Sequence, residues 1–235
     1  MKKKHQEEFR MKKYLSLLLA LLLCLPVGLC RAEYYCGDPV TVGDTVISPD
    51  TLKKAAQYHL ICGALSSAAI GKSYPVTDSI SIVDAMSKAL FDLEQQIVIC
   101  AEAEKMGLGE LTPEEEARLS AQAEAEMAEY RAVVLSENGM AFLPAGEYEP
   151  AEGDPEETVT RYLASWGLTM DRLFDEEYIY LLETKLQEKV TEQMQDATED
   201  ERIDYYTDWI LARTDEAGIQ ENALSVAEVC LALKD

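Results

Sequence analysis

His59 and Cys62 are the two residues whose types and spacing most readily suggest chemistry. They lie three positions apart in a segment that we predict to be helical, so both side chains would face the same side of the helix. Such a pair can act as base and nucleophile, or can bind a metal ion. No further ligand stands near them at a spacing typical of a metal site. We therefore expect His59 to be an ordinary helix-face histidine.

Carboxylates are the other abundant reactive groups. The chain carries 44 Asp and Glu against 21 Lys and Arg, a formal net charge of −23. With so many acids no single acid–base pair can be identified, and most belong to solvated helix faces such as Glu114 to Glu116. The sequence contains no glycine-rich phosphate loop and neither GxSxG nor HExxH. We expect no catalysis, cofactor or metal, and the negative charge opposes nucleic acid binding.

Helix caps and breaks predict a mainly helical chain. Ser48 followed by Pro49 is typical of a helix start, and Thr112 with Glu115 has the spacing of a capping box. Helices are predicted to start at Ser48, Thr77 or Asp78, Thr112, Asp154, Thr169 and Thr198, and to end near Gly71, Met106, Glu137 and Gly167. The helix after Asp78 carries the clearest apolar stripe, which consists of Ile82, Met86, Leu90, Leu93, Ile97 and Cys100.

Two segments lack a clear helical signal. Residues 138–154 contain three glycines and two prolines, which predicts an exposed loop. After Gly218, periodicity allows a helix from Asn222, while the conformation of the whole tail, residues 219–235, stays open.

Residues 1–32 have the features of a secretory signal peptide. Lys12 and Lys13 precede an apolar run over residues 15–25, and we predict cleavage near Ala32. Met11 is an alternative start, because the acidic residues before it are unusual in a basic leader. Two alternatives stay open: the leader is an uncleaved anchor in the membrane, or its last cysteine, Cys30, is lipidated. We expect an exported protein, in the cell envelope or outside the cell, that touches a membrane only through an uncleaved leader.

Four blocks of sequence resemble the N-terminal chaperone module of the SurA and PrsA foldases. Residues 40–48, VTVGDTVIS, resemble the strand–turn–strand with which that module begins. Residues 79–116 resemble its long helix, Gly-Leu break and Thr-Pro-Glu-Glu helix start, and residues 161–194 resemble its Gly-Leu-Thr turn and following long helix. The block TEDERIDYYTDWI is similar to its closing helix with paired tyrosines. The likeness covers most of residues 39–220 and consists of helix-packing patterns.

This resemblance implies a mainly α fold of long amphipathic helices, with a small N-terminal β-hairpin that pairs with a C-terminal strand near Ile219. Residues 33–235 would form one helical chaperone domain, with no room for a parvulin isomerase domain. Such a module binds unfolded or nascent exported polypeptides without ATP, in an apolar trough between helices. Methionine and aromatic side chains are expected to contact the client. The candidates are Met127, Tyr130, Met140, Phe142, Trp166 and Met170.

The sequence leaves the pairing of the cysteines open. Cys36, Cys62, Cys100 and Cys230 follow the predicted cleavage point, and an oxidising compartment permits three pairings, while four free buried thiols are equally compatible with the sequence. Because the resemblance brings the two ends of the module together, it implies Cys36 and Cys230 as the disulfide pair.

Two alternatives to the chaperone function stay open. One is an envelope scaffold that holds one folded partner, and the other is prolyl isomerisation. The client and the oligomeric state stay open.

Overall fold

The computed structural model of the chain describes residues 38–144 and 155–234. The predicted signal peptide, Cys36 and residues 145–154 of the predicted loop lie outside the described residues. None of the helices within the described ranges combines the length and the apolar character needed to cross a membrane.

A small antiparallel sheet joins the two ends of the described chain. Strands β1 (Val40–Val42) and β2 (Thr45–Ile47) form the predicted hairpin, and Gly43 takes a left-handed φ of 58° at its turn. Strand β3 (Ile219–Glu221) pairs with the other edge of β1, which gives the order β2-β1-β3. The hairpin and the returning C-terminal strand are therefore both confirmed.

Helices make up most of the described chain. They are α1 Pro49–Ala69, α2 Ser79–Lys105, α3 Pro113–Leu135, α4 Glu137–Phe142, α5 Pro155–Ser165, α6 Met170–Val190, α7 Glu199–Ala217 and α8 Ala223–Ala232. The predicted capping box of α3 is present: the Glu115 N–H donates to the Thr112 hydroxyl at 3.2 Å, and the Thr112 N–H donates to the Glu115 carboxylate at 2.9 Å. Asp78, Thr169 and Thr198 cap α2, α6 and α7 as predicted.

The predicted loop is wrong in its first part. Residues from Asn138 belong to α4, because the Ser136 hydroxyl accepts from the Gly139 N–H at 3.0 Å and so caps a new helix. Ser136 itself has an extended ψ of 160°, which ends α3 at Leu135 and turns the chain before α4 begins. The tail contains the helix that periodicity allows, since the Asn222 side chain caps α8.

Helices α1 and α2 are the two helices on which most of the others pack. Helices α1, α6, α7 and α8 all contact α2. The first four members of its predicted stripe are buried, namely Ile82, Met86, Leu90 and Leu93. Farther along, Val98 and Ile99 are buried, whereas Ile97 and Cys100 are only half-buried. The buried face therefore widens beyond the predicted stripe where α2 meets several helices at once.

The C-terminal part of α2 and the start of α3 both pack on α6, and we call this part of the molecule the arm. The Tyr178 hydroxyl of α6 donates to the Gly109 carbonyl in the α2–α3 connection at 2.8 Å. Farther along α6, the Lys185 ammonium lies 2.8 Å from the carboxylate of Glu115. Because Glu115 also caps α3, one carboxylate stabilises the start of α3 and connects it to α6.

Replacing Gly139 with alanine tests the junction of α3 and α4. A Cβ at this position would lie 2.1 Å from the carbonyl oxygen of Val133 and 2.6 Å from that of Val134. Both atoms belong to the backbone and cannot swing away, so we expect Gly139→Ala to lower the free energy of unfolding by about 1–3 kcal/mol. Urea unfolding followed by circular dichroism measures the loss. The control Asn138→Ala, at an exposed position, should change it by less than about 0.5 kcal/mol, and equal losses in both variants would contradict this account.

Candidate functional site

A cluster of polar side chains lies between α1 and α6, and we call it the α1–α6 seam: Tyr58, Cys62, Tyr130, Arg172 and Glu176. Glu176 is at its centre. Its carboxylate accepts hydrogen bonds from the Tyr58 hydroxyl at 2.5 Å and from Nε of Arg172 at 3.0 Å. Nη2 of Arg172 lies 2.9 Å from the same carboxylate as an ion pair. The guanidinium carbon of Arg172 also lies 4.9 Å from the centroid of the Tyr58 ring. One carboxylate thus connects α1 to α6.

Cys62 occupies the middle of this seam. Its half-buried thiol lies near the hydroxyls of Tyr58 and Tyr130, and Tyr130 in turn donates to Glu126 at 2.7 Å. Burial raises the pKa of the Cys62 thiol to about 11. The thiol is therefore protonated at neutral pH, and a protonated thiol is a poor nucleophile and a poor metal ligand.

His59 faces α2 rather than Cys62. Its Nε2 atom lies 3.0 Å from Oδ2 of Asp92, and its side chain is 14% exposed. The contact is an ion pair when the imidazole is protonated. His59 and Cys62, which their spacing placed on one helix face, are therefore in contact with different partners. Among the described residues, no group of three or more His, Cys, Asp or Glu could hold a metal ion.

The residues predicted to contact a client differ widely in their exposure. Met127 is 1% exposed and lies in the core, because the apolar face of α3 packs against the other helices. Its contact with a client stays a prediction. Met140 is 65% exposed. The remaining four are half-buried, namely Tyr130, Phe142, Trp166 and Met170. Cys230 of the predicted disulfide is buried in α8, while Cys36 lies outside the described residues.

A different set of large apolar side chains is exposed at one end of the molecule. We call it the apolar end: Ile70, Ile80, Leu135, Met140 and Leu231, with exposed fractions between 43% and 80%. Gly71 approaches the Asn138 side chain, which places α4 beside the end of α1. Lys234 donates to the Ser79 hydroxyl at 2.9 Å, which places the end of α8 beside the start of α2.

Sequence reasoning missed four of these five residues. Ile80 precedes the buried Ile82 by two positions, which puts it about 200° around the helix and on the opposite face. Ile70 lies just beyond the last residue of α1. Their positions off the buried stripe, or past a helix end, are the signal that could have found them. Their gathering at one end depends on how the helices pack.

Two open grooves flank the C-terminal half of α6. One, of about 520 Å³, lies between α6 and the start of α7, and the other, of about 480 Å³, faces the α2–α3 connection. Glu188 and Glu192 line both grooves. Most of the other lining residues are also charged or polar, which distinguishes these grooves from the apolar trough that the resemblance implies.

The chain matches no family model, no curated protein and no solved structure. Its likeness to the SurA and PrsA module therefore stays a prediction, carried by the four sequence blocks. The hairpin, the long helices and the returning strand show that the fold class is mainly α with a small sheet.

The free energy of unfolding should rise as the pH falls from 7 to 5. Burial raises the pKa values of Glu176 and Glu183 above the ordinary range for carboxyl groups. Such a carboxyl takes up a proton in the folded state before it does so in the unfolded chain, so mild acid favours the folded state. Urea unfolding at pH 7, 6 and 5 measures the trend, and a steady fall over this range would show that it is wrong.

Two variants and measurements at lower pH serve as controls for the expected rise in the free energy of unfolding. Glu183→Gln should reduce the rise, whereas Glu188→Gln, at an exposed position of the same helix, should leave it as in the wild type. The pKa of Glu115 is lowered by its hydrogen bond from Lys185, and that of Glu201 by its hydrogen bond from the Thr198 backbone. Their stabilisation is lost only in stronger acid, below about pH 4.

Proposed function

We propose that this protein is an exported, ATP-independent chaperone that binds unfolded polypeptides through its apolar end. The observation that carries the proposal is the exposure of five large apolar side chains at one end of a helical protein. Exposed apolar patches on soluble proteins commonly mark interaction sites. The resemblance to the SurA and PrsA module supports the same activity, and the predicted signal peptide supports export.

The arrangement of the apolar end favours an unfolded client. Its side chains come from the ends of α1, α2, α3, α4 and α8 and so offer separate points of contact rather than one continuous groove. A flexible chain can place its apolar residues on such points one after another. Met140 suits this role because its unbranched side chain adapts to clients of different shape.

The acidic composition supports the same proposal. A net charge of −23 keeps a protein with exposed apolar residues in solution and attracts the cationic segments of unfolded chains. Binding of this kind draws its free energy from buried apolar area, at roughly 25 cal/mol per Å². It needs neither a nucleotide nor a metal ion.

Fluorescence anisotropy of a labelled, permanently reduced and unfolded polypeptide, titrated with the purified protein, tests the proposal. We expect micromolar binding to the unfolded polypeptide and none to its folded form. Binding to neither would overturn the chaperone proposal and favour an envelope scaffold that holds one folded partner.

Replacing Ile70 and Met140 together with serine should weaken binding about tenfold or more. The expectation follows from the loss of two apolar contacts, since about 1.4 kcal/mol corresponds to a factor of ten. Both residues are more than 60% exposed, so stability should change little. The same anisotropy titration measures the affinity.

The matched control replaces Tyr180 and Ile203 with serine. These side chains are 69% and 44% exposed, but they lie on α6 and α7, away from the apolar end. We expect wild-type affinity from this variant. Equal weakening in both double variants would show that binding follows total exposed apolar area and is not localised at the apolar end.

A further inference from the structure

The first described residues of the chain lie beside the helix that leads to the apolar end. The Pro39 carbonyl accepts from the Asn222 N–H at 2.8 Å, and Asn222 caps α8. Leu231 belongs to the apolar end and lies nine residues after Asn222 along the same helix. Because a helix rises 1.5 Å per residue, Leu231 is about 14 Å along α8 from the point where Pro39 is held.

A second member of the apolar end lies at the same end of α8. Lys234, just after α8, donates to the Ser79 hydroxyl at 2.9 Å. Ile80 follows Ser79 and is 80% exposed, while Leu231 is 45% exposed. These two apolar side chains are therefore within about one length of α8 from Pro39.

The sequence before Pro39 contains a segment that is suited to cover such side chains. Residues 15–25, the apolar run of the predicted leader, include eight leucines and no charged residue. The chain from Leu25 to Pro39 advances by 14 residues, which span at most about 45 Å when fully extended. This reach exceeds the distance along α8 to Leu231, so the run can contact the apolar end of its own chain.

The charges of the two parts of the chain are complementary. Residues 1–32 carry seven Lys and Arg and two Glu, whereas residues 33–235 carry 14 Lys and Arg and 42 Asp and Glu. The formal net charges are therefore +5 and −28. Opposite charges attract the leader to the rest of the chain, while two copies of residues 33–235 repel each other. The charge balance favours the leader over a second copy as the occupant of the apolar end.

We propose that the apolar run of the leader, residues 15–25, occupies the apolar end of the same chain as long as the leader is attached, and so keeps clients away until it is removed. The inference rests on the proposed function, because it takes the apolar end as the client site. A short covalent connection gives the run an effective concentration of about millimolar, which favours it over a dilute client.

Photo-crosslinking in the full chain tests this contact. The photoreactive residue p-benzoylphenylalanine replaces Leu231 or, in a second variant, Ile80; a third variant carries it in place of Tyr180, which is 69% exposed on α6 and away from the apolar end. Trypsin cuts after Lys13 and Arg31, so one peptide contains the whole apolar run. We expect mass spectrometry to find this peptide crosslinked from positions 231 and 80, and not from position 180. Its absence from both positions of the apolar end, or equal yields from all three, would overturn the proposal.

A mixture of two isotopic forms distinguishes the leader of the same chain from that of a second copy. Equal amounts of ¹⁵N-labelled and unlabelled protein are mixed and irradiated together. Crosslinks within one chain join two peptides of the same isotopic form, which is the expected result. Crosslinked pairs that combine both forms at random would show that the leader comes from another copy, and would contradict the proposal.

Replacing Leu18 and Leu22 with aspartate should release the apolar end. We expect this variant of the full chain to lose the crosslink and to bind the unfolded polypeptide more tightly than the wild type. If the leader covers the apolar end for two-thirds of the time, the gain in apparent affinity is about threefold. The matched control replaces His5 and Gln6 with aspartate, which adds the same charges outside the apolar run and should behave as the wild type. A crosslink that survives the leucine replacements would overturn the proposal.

The two measurements separate this inference from the proposed function. If the Leu18→Asp/Leu22→Asp variant binds the unfolded polypeptide but the wild type forms no crosslink, the leader contact is wrong and the chaperone proposal is supported. If the wild type forms the crosslink but neither protein binds the unfolded polypeptide, the leader contact is supported, while the chaperone proposal and the exclusion of clients are both overturned.

Discussion

The burial of α2 on several sides is the constraint on which the rest of this structure depends. Helices α1, α6, α7 and α8 each cover part of it, so its apolar residues supply one core to most of the chain. Met86 and Ala89 have no measurable exposure. A helix of 27 residues spans about 40 Å, which is longer than α1, and the remaining length forms the arm with α3 and α6.

Polar contacts complete the packing where apolar contacts end. The seam joins α1 to α6 through Glu176, and the Lys185–Glu115 pair joins α6 to the start of α3. Burying a carboxylate opposes folding unless hydrogen bonds and opposite charge compensate, and Glu176 receives both from Tyr58 and Arg172.

The surface divides into regions of different chemistry. Apolar side chains collect at the end where α1, α2, α4 and α8 meet, while the grooves along α6 at the arm are lined mostly by charged and polar side chains. The proposed client site and the polar arm therefore lie at different places along the length of α2. Ionic strength will affect the arm more than the apolar end, because salt screens exposed charges and leaves apolar contacts largely intact.

Local signals in the sequence determined the helix starts, the hairpin turn and the stripe of α2, since caps, left-handed glycines and periodicity act within a few residues. Tertiary structure decided which apolar residues are buried. Met127 and Met140 have the same side chain, yet one lies in the core and the other is exposed, because only packing of α3 and α4 against α1 distinguishes their environments. The seam likewise needed the fold: Tyr58 and Glu176 are 118 residues apart in the chain, and no local pattern connects them.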